Sequence, residues 1–384
     1  MRVAVVGIGG TGSAAARYLA SAGHEVVGYE QFRVGHNQGS SHGESRIIRY
    51  TYPDALFTAM MADAYPLWAE LEREAGEELF VRCGGLYFGR YDDPSVIATE
   101  RALVGAGLIY DRLPPGEAQD RFPAFRFRPD EICLYQRESG FLRAGRCVAA
   151  NAELACAYGA DIREETAVAE VVPHGDDVIV VADVGSAERY DRVIVTAGAW
   201  ISQLFAGLNL RLRVTRQQIT YLQIARNADW FLPSQCPVWI DATGLYYGFP
   251  RDGRIPGIKF AAHTQGDQVH PDHVPRDVDT DYIAQNIEYA SWRMPDLDPA
   301  VTASQVCLYT NTANEDFILD HIPGSNNIWL VSGCSGHGFK FTVLLGKIAA
   351  ELATGGSYER DISRFQLSNF LLSNTLTGDT ASAR

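Results

Sequence analysis

The sequence lacks an apolar run long enough to cross a bilayer. Its longest apolar stretches, such as residues 342–345, are interrupted by charge within a few positions, whereas a transmembrane helix needs about 20 consecutive apolar residues. We therefore predict no membrane partner. An apolar strand pattern already starts at residue 2, so we also expect no signal peptide.

Positive charge is scarce as well. The chain of 384 residues has a formal net charge of −14, and its short arginine groupings are Arg46 with Arg49, and Arg211, Arg213 and Arg216. An acidic surface repels phosphate unless a local basic patch is present. The sequence therefore predicts no nucleic-acid partner.

The cysteines show neither disulfide nor metal-ligand spacing. Seven are scattered along the chain without a CxxC pair, and there is no Asn-x-Ser/Thr sequon. This usage is typical of a reducing compartment, and we expect a cytoplasmic protein without a structural zinc site. His263, His270 and His273 fit no common ligand spacing, and Gly266 and Pro271 interrupt their segment, so no metal is predicted.

The most specific feature of the sequence is its first thirty residues. An apolar strand pattern at residues 2–6 leads into the motif GIGGTG at residues 7–12, and an Ala-rich helical pattern follows at residues 13–22. A second strand pattern at residues 25–29 ends at Glu30. Strand, Gly-rich turn, helix and a later acidic residue are together typical of dinucleotide binding.

Each residue of this unit has a physical role. Gly7 and Gly9 let the backbone turn sharply and approach a pyrophosphate, while Gly12 lets the helix pack on the strand. The helix N-terminus offers N–H groups to the anion, and Glu30 can accept from ribose hydroxyls. The alternative is a Gly-rich turn in an ordinary parallel sheet, and the motif leaves open FAD or NAD(P).

Similar elements recur later in the chain. Residues 192–195 form an apolar strand pattern before a small-residue turn at Gly198, and residues 328–332 form another before a Gly-rich loop and a helix at about 339–354. Antiparallel strand patterns occupy the segments between them. We predict a mixed α/β (α+β) fold, in which an antiparallel-sheet substrate domain is inserted into a Rossmann-like dinucleotide-binding domain.

The predicted boundaries follow from this alternation. The dinucleotide-binding domain comprises residues 1–81, 144–213 and 305–370, the substrate domain comprises residues 82–143 and 214–304, and residues 371–384 form a flexible tail.

Four motifs carry a resemblance to a known family. They are GSSHG at residues 39–43 with Arg46 and Arg49, GIK at residues 257–259 with His263, CLYT at residues 307–310, and SGHGFKF at residues 335–341. In this order they resemble the monomeric sarcosine oxidase and N-methyltryptophan oxidase family, within the D-amino-acid-oxidase-like superfamily. The similarity covers nearly the whole chain. It implies FAD as cofactor, and oxidation of a carboxylated secondary amine by O2 with release of hydrogen peroxide.

The resemblance implies how FAD is held. Cys307 matches the cysteine that bonds the flavin covalently, and a thiolate is nucleophilic enough to add at the 8-methyl carbon; by pattern alone, Cys307 would be a small apolar strand residue. Cys334 is a weaker rival, and Ser45 replaces a common threonine. The residues expected to bind the cofactor are Gly7, Gly9, Gly12, Glu30, Ser41, His42, Ser45, Arg46, Val168, Gly198, Cys307, Gly336, Gly338 and Lys340.

The resemblance also implies how the substrate is bound. Arg49 and Lys340 match the guanidinium and ammonium groups that fix the substrate carboxylate. Lys340 is predicted in the first turn of a helix, where a cation is unfavourable unless an anion binds. N–H groups of residues 336–340 are expected to stabilise negative charge on the flavin.

The remaining site residues surround the reacting amine. Tyr247, Tyr309 and Gly336 are expected to line the pocket, and His263 to position the amine or handle its proton. Lys259 matches the lysine over the flavin that promotes reaction with oxygen, and Arg46 is expected beside the ring.

Several alternatives stay open at this point. The substrate could be sarcosine, N-methyltryptophan, proline or pipecolate, or a glycated amino acid, because pocket volume decides among them. A dehydrogenase passing electrons to another acceptor, a non-catalytic FAD-binding scaffold and NAD(P)-dependent reduction are less favoured. Family members of this size are commonly monomers, and we expect one here.

Overall fold

The computed structural model describes residues 1–183, 185–264 and 266–371. Of the tail predicted at residues 371–384, all but Leu371 lies outside the described residues. The helices are α1 Gly10–Ser21, α2 Ala55–Ala75, α3 Pro94–Gly105, α4 Pro115–Arg121, α5 Ala144–Ala157, α6 Ile201–Leu204, α7 Thr280–Arg293 and α8 Thr342–Ala353.

The strands form four sheets. They are β1 Arg2–Val6, β2 Glu25–Tyr29, β3 Arg46–Ile48, β4 Phe80–Val81, β5 Gly85–Arg90, β6 Asp111–Leu113, β7 Glu131–Gln136, β8 Gly140–Leu142, β9 Asp161–Arg163, β10 Val168–His174, β11 Asp177–Ala182, β12 Ala187–Tyr190, β13 Arg192–Val195, β14 Arg213–Ile224, β15 Val238–Asp241, β16 Tyr246–Gly248, β17 Ile258–Ala262, β18 Leu297–Asn311, β19 Ile318–His321 and β20 Ile328–Ser332.

The first sheet contains the N-terminal strand at its centre. Its order is β19-β20-β13-β1-β2-β9, and the strands are parallel except β19, which is antiparallel to β20. One face packs on α1, α2, α5 and α8 through a core that includes Val3, Leu19 and Leu345. The other face packs on the small antiparallel sheet β10-β11-β12. A parallel sheet covered on both faces is the arrangement predicted for dinucleotide binding.

The second sheet combines strands from two distant parts of the chain. Its order is β18-β14-β17-β16-β15-β5-β7-β6, and β5 meets β15 in parallel, with Leu86 opposite Trp239. The other pairs are antiparallel. Trp239 is fully buried with Phe88 and Met294 of α7. Strands from residues 82–143 and 214–304 thus share one sheet, the arrangement expected for an inserted substrate domain.

One strand crosses a predicted domain boundary. β18 runs without interruption from residue 297 to residue 311, past the boundary predicted between residues 304 and 305, and pairs with β14 along its length. Cys307 and Tyr309 therefore lie on the second sheet. This long pairing was not apparent from the sequence, because Asp298 and Pro299 near the start of β18 are residue types depleted in strands.

Local elements follow the predicted pattern closely. Apolar residues at helical spacing in residues 55–75 indicate a helix. This segment is α2, with Asp54 accepting from Leu56 N at its start and Gly76 left-handed at its end. Helix α1 begins at Gly10, three residues earlier than predicted, because Ser41 Oγ accepts from Gly10 N at 3.0 Å. Arg46, predicted to end a loop, instead starts the short strand β3.

Two further features concern the cysteines and the helices. All seven cysteines are free. Across residues 1–183, 185–264 and 266–371, no helix has the length and apolar character needed to span a bilayer.

Candidate active site

A first cavity of about 360 Å³ lies where β1 passes into α1. Its lining includes the predicted cofactor residues Gly7, Gly9, Glu30, Ser41, Arg46, Val168, Gly198, Gly336 and Gly338, as well as Tyr309 and Cys334. Ligands of parallel α/β sheets bind at this carboxyl edge of the strands. Residues from the start, middle and end of the chain are thus brought together around one space.

The glycines shape the entrance to α1. Gly7 has φ +93°, and a Cβ there would lie 2.7 Å from the Thr196 carbonyl oxygen. A Cβ at Gly12 would lie 1.8 Å from the Gly7 carbonyl oxygen, so only glycine allows the helix to pack this closely on the strand. At Gly9 a Cβ would meet Ser41 Oγ at 3.3 Å, which leaves the backbone open toward the cavity.

Glu30 is buried at the end of β2. Its carboxylate accepts from Ile8 N at 2.9 Å and from Phe32 N at 3.0 Å, while His36 Nε2 lies 3.5 Å away. Each carboxylate oxygen retains a free lone pair after these bonds. Glu30 therefore faces the cavity with capacity to accept from hydroxyl groups.

Arg46 organises the loop between the two cavities. Its guanidinium donates to the carbonyl oxygens of Ser40, His42 and Ser45 at 3.0, 2.6 and 2.9 Å. Three backbone bonds from one planar cation lock the Gly/Ser-rich segment into a single conformation.

A second cavity of about 390 Å³ adjoins the first. It shares with it Arg46, Tyr309, Gly336 and Phe339. The predicted site residues that line it are His42, Arg46, Arg49, Tyr247, Lys259, His263, Cys307, Tyr309, Gly336 and Lys340. The predicted substrate and oxygen residues therefore meet in one place, next to the predicted dinucleotide site.

Two predicted cofactor residues line neither cavity. Ser45 is completely buried, and its carbonyl and hydroxyl oxygens accept from Lys259 Nζ at 2.8 and 3.2 Å. Ser45 therefore supports Lys259, and its direct contact with the cofactor stays a prediction. Gly12 acts through the packing described above. Lys340 lines the second cavity and not the first.

Lys259 is a buried cation on β17. It is 2% exposed, and its Nζ lies 4.4 Å from the centre of the Phe249 ring. Burial, reinforced by the nearby Arg46, lowers the pKa of Lys259 to about 7. The site therefore holds an ammonium group whose charge responds to small changes in its surroundings.

Arg49 and Lys340 flank one tyrosine from opposite parts of the chain. The Arg49 guanidinium carbon lies 4.1 Å from the centre of the Tyr52 ring, and Lys340 Nζ donates to Tyr52 Oη at 2.9 Å and to the His337 carbonyl oxygen at 2.6 Å. Burial and Arg49 lower the pKa of Lys340 well below its usual value. Among the described residues no carboxylate forms an ion pair with either cation, so the pair favours an external anion.

His263 faces the same cavity beside two tyrosines. Its ring centre lies 6.2 Å from those of Tyr247 and Tyr309, whose hydroxyls are 3.4 Å apart. The protein around it, with Arg49 and Lys340 nearby, lowers the pKa of His263 to about 4. His263 is therefore neutral near pH 7 and available for hydrogen bonding.

Cys307 lies buried on β18 opposite Gln217. Burial raises the pKa of its thiol, and the positive charges of Arg46, Lys259 and Arg276 oppose that effect. The thiol opens into the second cavity, whereas Cys334 lines the first. Burial raises the pKa of Cys334 to about 11, so its thiol is largely protonated.

The loop before α8 differs from its prediction in one respect. The N–H groups of His337 and Gly338 both donate to the Cys334 carbonyl oxygen at 2.9 Å, so they are not free to face a ligand. Residues Gly338–Phe341 form a single 3-10 turn before α8 starts at Thr342. Gly336 has φ +75°, and a Cβ there would lie 2.2 Å from the Tyr309 ring.

Sequence reasoning missed two residues of this site, Tyr52 and His337. Tyr52 is buried and joins Lys340 to His337 Nδ1, which lies 3.2 Å from its hydroxyl. The signals were present, since Tyr52 follows Arg49 by three residues and His337 stands inside the motif at residues 335–341. Their role depends on contacts across 285 residues of chain.

The residues present fit an adenine dinucleotide with a redox ring. The open backbone at Gly9, the N-terminus of α1 and the Glu30 carboxylate supply the groups that recognise pyrophosphate and ribose. Nε2 of His42, which lines the second cavity, is buried without a partner in the described part of the chain. Such an orphaned polar atom indicates a missing partner.

Comparisons with known proteins agree with this geometry. The family model described as FAD dependent oxidoreductase matches residues 2–352. Monomeric sarcosine oxidase of Streptomyces avermitilis is 33% identical over 369 residues, covering 94% of this chain and 96% of the relative. N-methyl-L-tryptophan oxidase of Citrobacter koseri is 28% identical, with coverages of 95% and 98%.

A solved structure extends the similarity to three dimensions. NikD, described as an unusual amino acid oxidase essential for nikkomycin biosynthesis, superimposes with a TM-score of 0.84 at 25% identity, covering 95% of this chain and 96% of its own. The cavity beside α1, the pair of basic side chains Arg49 and Lys340, and the family match agree with one another. The chain belongs to the FAD-dependent oxidoreductase family that includes the monomeric sarcosine oxidases.

Proposed function

We propose that the protein is a flavin-dependent oxidase of secondary L-amino acids, of the sarcosine oxidase type. The observation that carries this proposal is the pair of basic side chains, half-buried Arg49 and buried Lys340, which face the cavity next to the dinucleotide site without a carboxylate partner among the described residues. The names of the relatives support the same reaction class.

The substrate carboxylate binds between Arg49 and Lys340. A guanidinium and an ammonium group offer several charged donors to one carboxylate, which orients it strongly. The Tyr52 ring, 4.1 Å from the Arg49 guanidinium carbon, supports this guanidinium from one side. The amine of an α-amino acid then lies in the same cavity as His263 and the Tyr247–Tyr309 pair.

Bound FAD would supply the redox chemistry, accepting a hydride from the carbon attached to the amine. Residues of this chain prepare the amine for that step. An ammonium has no lone pair to stabilise the developing iminium, and positive neighbours such as Arg49, Lys340 and Arg46 disfavour the ammonium. His263, neutral near pH 7, accepts a hydrogen bond from the amine and orients it.

Oxygen is the proposed electron acceptor, and hydrogen peroxide the product. Lys259 supports this part of the proposal, because a fixed ammonium stabilises the negative charge that oxygen acquires on reduction. The hydrogen bond from Lys259 Nζ to the Ser45 carbonyl oxygen and the contact of Nζ with the Phe249 ring keep Nζ at the cavity wall. The imine product would hydrolyse in water.

Activity is tested with a panel of N-methyl amino acids, proline and pipecolate, with detection of peroxide. We expect peroxide with at least one of them, and loss of carboxylate binding in Lys340→Met. The control is Lys347→Met, since Lys347 lies on α8 in an exposed pair with Glu351. Bleaching of the bound flavin without peroxide would favour a dehydrogenase with another acceptor.

We also propose that Cys307 holds the flavin covalently. Its thiol opens into the cavity that Arg46 and Lys259 line, and their positive charges favour the thiolate. Acid precipitation of the purified protein should leave the yellow colour in the pellet, and Cys307→Ala should release it into solution. Retention in Cys307→Ala together with loss in Cys334→Ala would assign the bond to Cys334.

Two further proposals concern the oligomeric state and the cellular compartment. We propose a monomer, because the bacterial sarcosine oxidases similar to this chain are named as monomeric, and a cytoplasmic location, which the free cysteines favour. Size-exclusion chromatography with light scattering tests the oligomeric state, and localisation of the tagged protein tests the compartment.

A further inference from the structure

Among the described residues, the groups that accept from Lys340 Nζ are neutral oxygens. Lys340 is 5% exposed, and its Nζ donates to Tyr52 Oη and to the His337 carbonyl oxygen. Lys347, seven residues later, instead pairs with Glu351 at 2.7 Å. A buried ammonium without a counter-ion is costly, and losing its proton removes the cost.

The hydrogen-bond chain behind Lys340 has a defined direction. His337 Nε2 lies 2.9 Å from the Glu315 carbonyl oxygen, which can only accept, so Nε2 carries the hydrogen. Burial lowers the pKa of His337 to about 3, so the ring is neutral and Nδ1 is an acceptor. Tyr52 Oη, 3.2 Å from Nδ1, donates to it and accepts from a charged Lys340.

The same atoms also accommodate an uncharged Lys340. A neutral amine has a lone pair, so the Tyr52 hydroxyl can rotate and donate to Nζ, while Nζ still donates to the His337 carbonyl oxygen. The change moves one hydrogen and no heavy atom. The geometry therefore supports either protonation state of Lys340 without a conformational change.

We propose that Lys340 is the group that takes the proton from the substrate ammonium when the substrate carboxylate binds beside it. The proposal rests on the proposed function and deepens it. One N–H bond breaks at the substrate nitrogen and one forms at Nζ, so the complex neither gains nor loses a proton. The carboxylate gains a charged partner, and the amine is left with the lone pair that its oxidation requires.

The groups that face Nζ favour this transfer. Burial and Arg49 hold the pKa of Lys340 low in the free protein, with Cys334 opposing them weakly. A bound carboxylate adds a negative charge and so raises that pKa. The neutral groups nearby, Tyr52 and His337, add no charge, and the pKa of His263 is lowered to about 4. Glu315 and Arg364 also line this cavity.

The lysine content of the chain makes the proposal directly testable. The chain contains three lysines, Lys259, Lys340 and Lys347. Holoprotein produced with ¹³C-labelled lysine therefore gives three Cε signals, and the variants Lys340→Arg and Lys259→Arg assign them. Propionate, which has a carboxylate and no nitrogen, is the probe. At pH 8 we expect the Lys340 signal to be that of an uncharged amine without propionate and of an ammonium with it, while Lys347 serves as internal reference.

Calorimetry in two buffers of different ionisation enthalpy gives a second readout. Propionate binding should take up close to one proton in the wild type and none in Lys340→Arg, because an arginine keeps its charge throughout this pH range. The proposal would be overturned if the Lys340 Cε signal remained that of an ammonium throughout pH 6–9. It would also be overturned if proton uptake persisted in Lys340→Arg and disappeared in His263→Asn. Failure of propionate to bind would instead refute the carboxylate site itself, and with it the proposed function.

Discussion

Two of the three lysines in this chain are buried in the candidate active site. Lys259 lies on β17 and Lys340 in the turn Gly338–Phe341, and both line the same cavity. Both have a lowered pKa because burial disfavours their charge. Their surroundings differ. Lys259 rests on the oxygens of Ser45, whereas Lys340 shares the Tyr52 ring with Arg49. We assign the first to oxygen and the second to the substrate.

At the residue scale, Lys259→Met should separate the two halves of the reaction. We expect oxygen consumption to slow roughly 100-fold or more, because the fixed ammonium that stabilises reduced oxygen is removed, while anaerobic reduction by the substrate is far less affected. Stopped-flow absorbance measures both steps. Lys347→Met should change neither, and an equal loss in both steps of Lys259→Met would contradict the assignment.

The element that positions Lys340 is the turn Gly338–Phe341, and helix α2 packs against this turn. Trp68 of α2 is fully buried, and its Nε1 donates to the Lys340 carbonyl oxygen at 2.8 Å. The indole also lies parallel to the Phe339 ring, 6.3 Å between centres. A long apolar helix thus fixes the backbone of a residue far away in sequence, which keeps Nζ at the cavity wall.

At the element scale, Trp68→Phe should weaken both stability and carboxylate binding. Loss of this buried hydrogen bond costs about 0.5–1.5 kcal/mol and frees the turn that carries Lys340. Trp239→Phe is the matched control, because Trp239 is equally buried and its Nε1 has no partner among the described residues. Thermal unfolding and propionate titration of the holoprotein measure the effects. Equal propionate affinities in the two variants would contradict the role of α2.

On the scale of the whole molecule, the site joins two sheets that have separate cores. Helices cover one face of the parallel sheet, and the large second sheet packs around Trp239. Two histidines, His42 and His337, line the second cavity, where the two sheets meet. Burial lowers the pKa of His42 and of His337 to about 3, well below the value of about 6.5 in an unfolded chain.

This burial predicts loss of stability in acid. Between pH 6.5 and 3 the unfolded state binds protons that the folded state does not, so stability falls as the pH falls, by up to about 1.4 kcal/mol per pH unit for each histidine. His337→Asn should therefore show a smaller drop in unfolding temperature from pH 7 to pH 5 than the wild type. His174→Asn, on the exposed part of β10, is the control. Equal drops in all three proteins would contradict the prediction.

Local features of this molecule were already determined by the sequence. The strand, turn and helix at its start, and the helix Ala55–Ala75, follow from periodicity and glycine placement, which depend on residues a few positions apart. The four motifs identified the family and the cation pair, because chemistry restricts which side chains can serve there.

Only the tertiary structure decided how distant residues are paired. It buried Ser45 against Lys259, used the N–H groups of His337 and Gly338 within their own loop, and extended β18 across a predicted boundary. It also placed Tyr52 against Lys340, 288 residues away. Such contacts depend on which surfaces pack together once the whole chain has folded, and no local pattern of apolar and polar residues encodes them.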